Sequence, residues 1–264
     1  NNYSTTLIGE QLWMAENLKV TRYLNGDEIP NVENSEDWGN LSSGAYCNYY
    51  NDLYNSEIYG SLYNWYAVDD TRGVCPDGWH VPTDDEYKVL ETFLNMNELE
   101  VNKTGWRGTD QGTKLKDDES WNGNNLSGFS ALPSRSRHAD GYFQNFNLLH
   151  TQTQDSFDEN YIIVRQLSFE EDKVWWGGVY KREGVSIRCI ANDPVAYVQS
   201  QSSSGEGPNV TLTAGTHTFE HTVTDAYGAT HTDAVTITVL PEPNDGPTAN
   251  AGEDFNVEIL HDGT

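Results

Sequence analysis

Apolar and polar residues change rhythm several times along this chain of 264 residues. The clearest helical rhythm starts at Thr83, where Tyr87, Leu90, Phe93 and Leu94 recur at the spacing of one helix face. Thr83 is a good N-cap, and Glu86 three residues on completes a capping box. Asp84 and Asp85 add negative charge to the first turn, where the helix dipole favours it. The pattern predicts a helix from Thr83 to about Asn95, entered through a bend at Pro76 and Gly78. Residues 1–20 read as a strand and a short turn, and Tyr59 to Val68 reads as an earlier helix. Tyr161 to Phe169 alternates as a strand, Val174 to Tyr180 is a second apolar run, and Val185 to Ile190 is a closing strand. Two stretches lack rhythm. Residues 21–58 are rich in Asn, Asp, Ser and Tyr and read as surface loops anchored by tyrosine rings. Residues 96–127 set Trp106 and Trp121 among Gly, Asn, Asp and Lys, and loops of such length are commonly functional or mobile.

After Cys189 the composition shifts. From Ile190 to Thr264 there is no Lys, Arg or Cys, which places a domain boundary near Asp193-Pro194. Thr216 to Asp225 alternates with period two, Ala226 to Ala229 makes a turn, and Thr232 to Leu240 alternates again, as a β-hairpin does. This hairpin resembles the second half of a PKD-type immunoglobulin-like repeat. Pro241 to Pro247 reads as a stiff linker, and Pro247 to Asp254 resembles the first strand of a further repeat. The expected domains are therefore 1–192, a small all-β PKD-like module at 193–241, and a linker with a truncated repeat at 242–264.

Charge narrows the partners. Fifteen Lys+Arg against 41 Asp+Glu give a net charge of −26, which repels nucleic acid and anionic membrane surfaces. It suits an extracellular protein in salty surroundings, either as a plain solvated surface or as a holder of divalent cations. No apolar run is long enough to span a membrane. No signal peptide is visible, and the start at Asn1 is what a mature or trimmed segment would show. Three cysteines, Cys47, Cys75 and Cys189, suggest one bridge and one free thiol in an exported protein.

Five blocks carry a resemblance: GEQLWMAENLKV (Gly9 to Val20), YGSLYNWYAV (Tyr59 to Val68), CPDGWHVPTDDE (Cys75 to Glu86), GFSALP (Gly128 to Pro133) and SIRC (Ser186 to Cys189). In this order, over roughly residues 5–191, they resemble the Fibrobacter succinogenes major paralogous domain. The resemblance implies an α+β, C-type-lectin-like fold related to the formylglycine-generating enzymes, here with two helices and long loops. It also implies a secreted or cell-surface setting in polysaccharide-degrading bacteria. Cys75 and Cys189 both lie inside family blocks, which supports a bridge between them. Closing so long a loop restricts the unfolded chain by about 4–5 kcal/mol in the loop-entropy view. Cys47 is then expected to be a buried small hydrophobe.

The chemistry is mostly recognition. No G-x-S-x-G, H-E-x-x-H or C-x-x-C motif occurs, and His80, between Trp79 and Val81, reads as structural. The formylglycine-generating relatives use two reactive cysteines near the C-terminal end, where only Cys189 stands here, so no enzyme activity is expected. Asp117, Asp118, Glu119, Asn122, Asn124 and Asn125 cluster oxygen ligands suited to Ca²⁺, without EF-hand order. Sugar binding by ring stacking has the fuller inventory: Trp106, Trp121, Tyr142, Trp175 and Trp176, with Arg135, Arg137 and His138 as hydrogen-bond donors. Trp175 and Trp176 are neighbours on one strand and point to opposite faces, so at least one should be buried. The expected function is non-catalytic polysaccharide binding. The alternative is a surface adhesin or stalk segment that binds protein or self-assembles through the PKD-like repeats.

Overall fold

The computed structural model describes residues 2–193 and, beyond them, the strand backbones 215–224 and 230–239. The chain divides into two units, Asn1–Gln201 and Ser202–Thr264. The division falls a few residues beyond the boundary expected at Asp193-Pro194.

In the first unit the strands are β1 (Thr5–Ile8), β2 (Gln11–Met14), β3 (Tyr46–Cys47), β4 (Leu62–Tyr63), β5 (Trp79–His80), β6 (Gly105–Arg107), β7 (Ser136–Arg137), β8 (Phe143–Gln144), β9 (Asn147–Gln154), β10 (Tyr161–Leu167), β11 (Val174–Tyr180), β12 (Val185–Ser186) and β13 (Ile190–Ala191). The helices are α1 (Ser35–Gly39), α2 (Leu53–Tyr59), α3 (Trp65–Val68), α4 (Asp84–Phe93), α5 (Glu98–Val101) and α6 (Gln111–Leu115). A seven-stranded sheet runs β3-β4-β12-β9-β10-β11-β6, a four-stranded sheet runs β1-β2-β13-β5, and β7-β8 stands as a hairpin. This is an α+β unit.

Strand alternation divides the core in two. On one face of the large sheet Leu148, Ile162, Val164 and Val185 join Tyr63, Trp65 and both bridged cysteines. On the other face Leu149, Leu167 and Val174 meet Tyr87 and Leu90 of α4, with Trp13 and Phe129. The capping box at Thr83 and Glu86 forms as the sequence prescribes. The inner face of α4 then carries charge as well as apolar groups. Glu91, fully buried, accepts from Arg107 at 2.7 and 2.9 Å and from Arg165 Nε at 2.7 Å. Asp84 accepts from Arg165 at 2.7 Å and from the Trp176 indole at 2.6 Å. Each buried charge in this cluster has a partner, the condition for tolerating burial.

The Cys75–Cys189 bridge is present, with Cα atoms 6.1 Å apart and a sequence separation of 114. Arg188, next to it, is fully buried and donates to Asn17 Oδ1 and Ser130 O, each at 2.8 Å, and to Phe129 O. It thereby ties the first, fourth and fifth family blocks together, and burial lowers its pKa to about 9. Cys47 is a buried free thiol whose pKa burial pushes up to about 12.

Two expectations about the elements change. The helix expected over Tyr59 to Val68 is interrupted, because Gly60 ends α2 with φ 77° and Asn64 starts α3 as its N-cap, with β4 between. The expected two helices are thus part of a larger set of short, mostly side-chain-capped ones. Asn34, Asp52 and Asn97 cap α1, α2 and α5 in the stretches that read as loops. In the second unit β14 (Gly215–Thr224) and β15 (Thr230–Val239) pair antiparallel, from Gly215 against Val239 to Thr224 against Thr230. The hairpin expected there is formed. Its turn, the Pro241 to Pro247 linker and the truncated repeat lie outside the described residues. Among the described residues no helix is long and apolar enough to cross a membrane.

Candidate functional site: an aromatic cluster on an arginine-filled hairpin

The β7-β8 hairpin and its turn carry Arg137, His138 and Tyr142, with Arg135 just before them. Arg137 and Phe143 stand opposite each other in the hairpin register. Arg137 is fully buried: Nε donates to Gly141 O at 2.8 Å, and its two terminal nitrogens donate to Val32 O at 2.6 Å and Glu33 O at 2.8 Å. Its guanidinium lies 4.6 Å from the Trp38 ring and 5.0 Å from Phe143, a cation between two π faces. Backbone bonds between Arg137 and Gly184 fix the hairpin to the loop that follows β11. Expected to touch ligand, Arg137 instead fills the base of the hairpin, where backbone carbonyls, two rings and the Cys47 thiol surround it.

Beside this base sits a ring cluster. Tyr49 and Tyr50 have centroids 4.4 Å apart, and Phe143 lies 5.4 Å from the first and 5.2 Å from the second. Tyr50 is 66% exposed and Tyr142, at the hairpin tip, 70% exposed. Tyr50 and Asn51 have φ of 54° and 59°, and Arg135 has 65°. Left-handed backbone costs a residue with a Cβ about 1–2 kcal/mol, least for Asn. Arg135 is half-buried, and its backbone N–H donates to Asn147 Oδ1. Tyr49 and Tyr50 belong to the stretch 21–58, whose tyrosines read in sequence only as anchors. The signal that could have set them apart is a Tyr-Tyr-Asn run followed by α2, a helix with no buried residue.

Behind the hairpin tip lies Glu183, buried, accepting from the Ala139 N–H at 3.2 Å and from Gln144 Nε2. Burial raises its pKa to about 7, with His138 opposing the rise and Asp140 reinforcing it. His138 is partly exposed, its Nδ1 3.1 Å from the Asp140 carboxylate and its ring 6.5 Å from Tyr180.

The tryptophans separate. Trp121 is 3% exposed inside the core and is not available to a ligand. Trp106 and Trp175 face each other across β6 and β11 at the far edge of the sheet, both half-buried. Trp175 packs on the first core cluster and lies over Gly177, where a Cβ would come within 2.3 Å of its ring. Trp176, on the other face, is held by Asp84. The opposite facing of this pair is as expected, but neither ring is buried as one of them was expected to be: both stay partly accessible.

In the acidic loop most of the candidate ligand residues already accept hydrogen bonds within the protein. Asp117 Oδ1 accepts from Glu119 N, Ser120 N and Ser120 Oγ. Asn122 Oδ1 accepts from the buried Lys116 ammonium at 3.1 Å, and Asn124 and Asn125 accept from Leu126 N and Ser130 N. Lys116 also reaches Ser168 O and Glu171 O, each at 3.0 Å. The loop is organised around its own internal cation, and Asp118 and Glu119 face solvent. Among the described residues no group of three or more His, Cys, Asp or Glu side chains gathers to hold a metal ion. His80 is held between Asn192 Oδ1 at 2.6 Å and Glu86 Oε1 at 2.8 Å, and the Glu86 bond raises its pKa.

Short capped helices on two sheets, one bridge and an outward aromatic cluster define a disulfide-tied α+β domain. The chain belongs to the Fibrobacter succinogenes major domain family, whose model matches residues 7–191. No curated protein and no solved structure matches the chain.

Proposed function

We propose that this unit is a non-catalytic carbohydrate-binding module of a secreted or cell-surface protein, on a lectin-like fold followed by PKD-like repeats. The observation that carries the reading is the ring cluster of exposed Tyr50 with half-buried Tyr49 and Phe143, and exposed Tyr142 on the same hairpin as Phe143. Sugar rings have apolar faces that stack on aromatic side chains, and a rigid ring gives contact area at low entropy cost. Strained backbone at Tyr50 supports a functional origin, since such strain gathers at binding sites. His138 and the Arg135 side chain supply hydrogen bonds at the margin, and the Trp106 and Trp175 edge offers a second stacking surface. Affinity electrophoresis through gels cast with plant and algal polysaccharides tests this. Retention by at least one polysaccharide, reduced in Tyr50→Ala and Tyr142→Ala, is expected; migration unaffected by every polysaccharide would overturn it.

A protein-binding or self-assembling adhesin is the second reading. It is favoured by α2, where Leu53 is 72%, Tyr54 66% and Ile58 42% exposed along a helix with no buried residue. Light scattering that shows a concentration-dependent oligomer, lost in Leu53→Asp, would support it over the first.

A further inference from the structure

A cleft of about 510 Å³ opens between the loop preceding β3 and the turn that follows α3. That volume falls within the usual range of small-ligand sites, ~300–1,000 Å³. Its walls are polar: Ser42 and Ser43 on one side, Asp69 and Thr71 on the other, with the half-buried ring of Tyr66 between. Gly44 completes the wall, and no side chain fits there, because a Cβ would lie 2.0 Å from the Tyr23 hydroxyl. That hydroxyl is buried behind Gly44 without a hydrogen bond of normal geometry. Burial and then the Asp70 charge raise its pKa.

The cleft's charges decide what enters it. Its cation, Arg72, is already engaged: it donates to Asp70 at 2.8 and 2.7 Å and to Asp27 at 3.1 Å, and stacks 4.0 Å over Tyr23. Glu28 is paired with Arg22 at 2.6 Å. What remains open is the Asp69 carboxylate, three hydroxyls and a ring face. Hydroxyls that both donate and accept, beside a carboxylate that accepts two donors and a ring that stacks, match a polyhydroxylated ring in each group. A uronate or sulfated sugar would meet carboxylates and no free cation, in a chain of net charge −26.

We infer that this cleft binds one uncharged sugar unit, and that at this subsite neutral sugars are selected over anionic ones. The inference rests on the carbohydrate reading and gives it a second, chemically distinct subsite.

The test is a titration of ¹⁵N-labelled full chain with glucose, galactose, mannose and xylose, and in parallel with glucuronate and galacturonate. Amide shifts at 69–72 with at least one neutral sugar, at least tenfold weaker in Asp69→Asn and Thr71→Ala, are expected, with no such shifts from the uronates. Both substituted side chains are exposed, so folding is preserved. No response at 69–72 to any neutral sugar, equal binding of a uronate, or unchanged affinity in both variants would overturn the inference. A simple alkylamine that binds where sugars do not would also overturn it. The two readings fail differently. Gel retention that depends on Tyr50 and ignores Asp69 leaves the module reading standing without the cleft, whereas no retention on any polysaccharide removes the module reading itself.

Discussion

The hairpin cluster and the cleft each pair an arginine with aromatic rings, yet they handle its charge in opposite ways. Under the hairpin, Arg137 is withdrawn from water and held by three backbone carbonyls and two rings. At the cleft, Arg72 stays at the surface and is held by two carboxylates over one ring. The first arrangement makes the arginine an internal strut, which leaves an apolar ring surface outside. The second makes it a local counter-ion, which leaves a polar concave surface. In both places this arginine is already occupied by the protein itself; the cleft then keeps no other cation, whereas the hairpin keeps Arg135 near Tyr49.

Replacing each arginine by methionine tests that contrast most forcefully. Arg137→Met leaves the carbonyls of Val32 and Gly141 without this donor, while Glu33 O keeps the Asn51 amide at 3.1 Å. Each buried group so orphaned costs about 1–3 kcal/mol, so a loss on the order of 3 kcal/mol or more is expected in urea denaturation. Arg137→Lys should recover only part of it, since an ammonium cannot bridge the three carbonyls or lie flat between Trp38 and Phe143. Arg72→Met removes two surface ion pairs and one stack over the Tyr23 ring, which together contribute less, and should lower the denaturation midpoint far less than Arg137→Met does. Equal losses at the two sites would erase the distinction.

Titration separates the same two regions by sign. Glu183, behind the hairpin, has its folded pKa raised from 4.5 to about 7 by burial. The folded state therefore binds its proton more tightly than the unfolded chain. Its stabilising contribution is complete below pH ~4.5 and is lost as pH rises towards 7. The upper bound is about 3 kcal/mol, since each tenfold gain in proton affinity is worth about 1.4 kcal/mol. Asp70, at the cleft, has its pKa lowered to about 2, first by the Arg72 hydrogen bond. Its contribution is present above pH ~4 and lost as pH falls towards 2, and it is small because the group is largely solvated. Buried His150, whose pKa is lowered to about 4, acts with the opposite sign and adds stability as pH rises from about 4 to 6.5, so the difference between two profiles carries the test. Glu183→Gln should remove a fall between 4.5 and 7 relative to wild type; parallel profiles there would mean that the carboxyl is better hydrated than its burial indicates.

Much of the scaffold is legible in the residues, and the reasons are local. The box at Thr83 and Glu86, the alternation of β10 and the break after Cys189 each depend on neighbours in sequence. The bridge is legible because both cysteines sit in recognisable blocks. Arg137 misleads because a charged residue beside aromatics looks like a ligand contact. Only the fold shows that carbonyls from residues 32, 33 and 141 converge on it. Trp121 misleads for the mirror reason: a polar, irregular loop hides the fact that Lys116 and Asn122 close it inward over the core. The Tyr49–Tyr50 cluster is silent in sequence because its meaning lies in Phe143, some ninety residues away. The cleft joins Ser42 to Asp69 and Thr71, which no pattern within either segment announces.

The smallest effect separates what a ring contributes from what its backbone costs. Tyr50 sits at φ 54°, a conformation glycine adopts freely and alanine does not. Tyr50→Ala removes the ring and keeps the strain, whereas Tyr50→Gly removes both. Tyr50→Gly should therefore be the more stable of the two by about 1 kcal/mol in thermal or urea denaturation. Both should lose polysaccharide retention to a similar degree, about three- to tenfold for one stacking ring of roughly 0.5–1.5 kcal/mol. Neither should change sugar-induced shifts at 69–72, since those belong to the cleft. If glycine restores retention along with stability, binding follows from a relaxed loop and the ring is incidental. If the two variants are equally stable, the left-handed backbone at Tyr50 stores no strain, and its geometry no longer argues for a site.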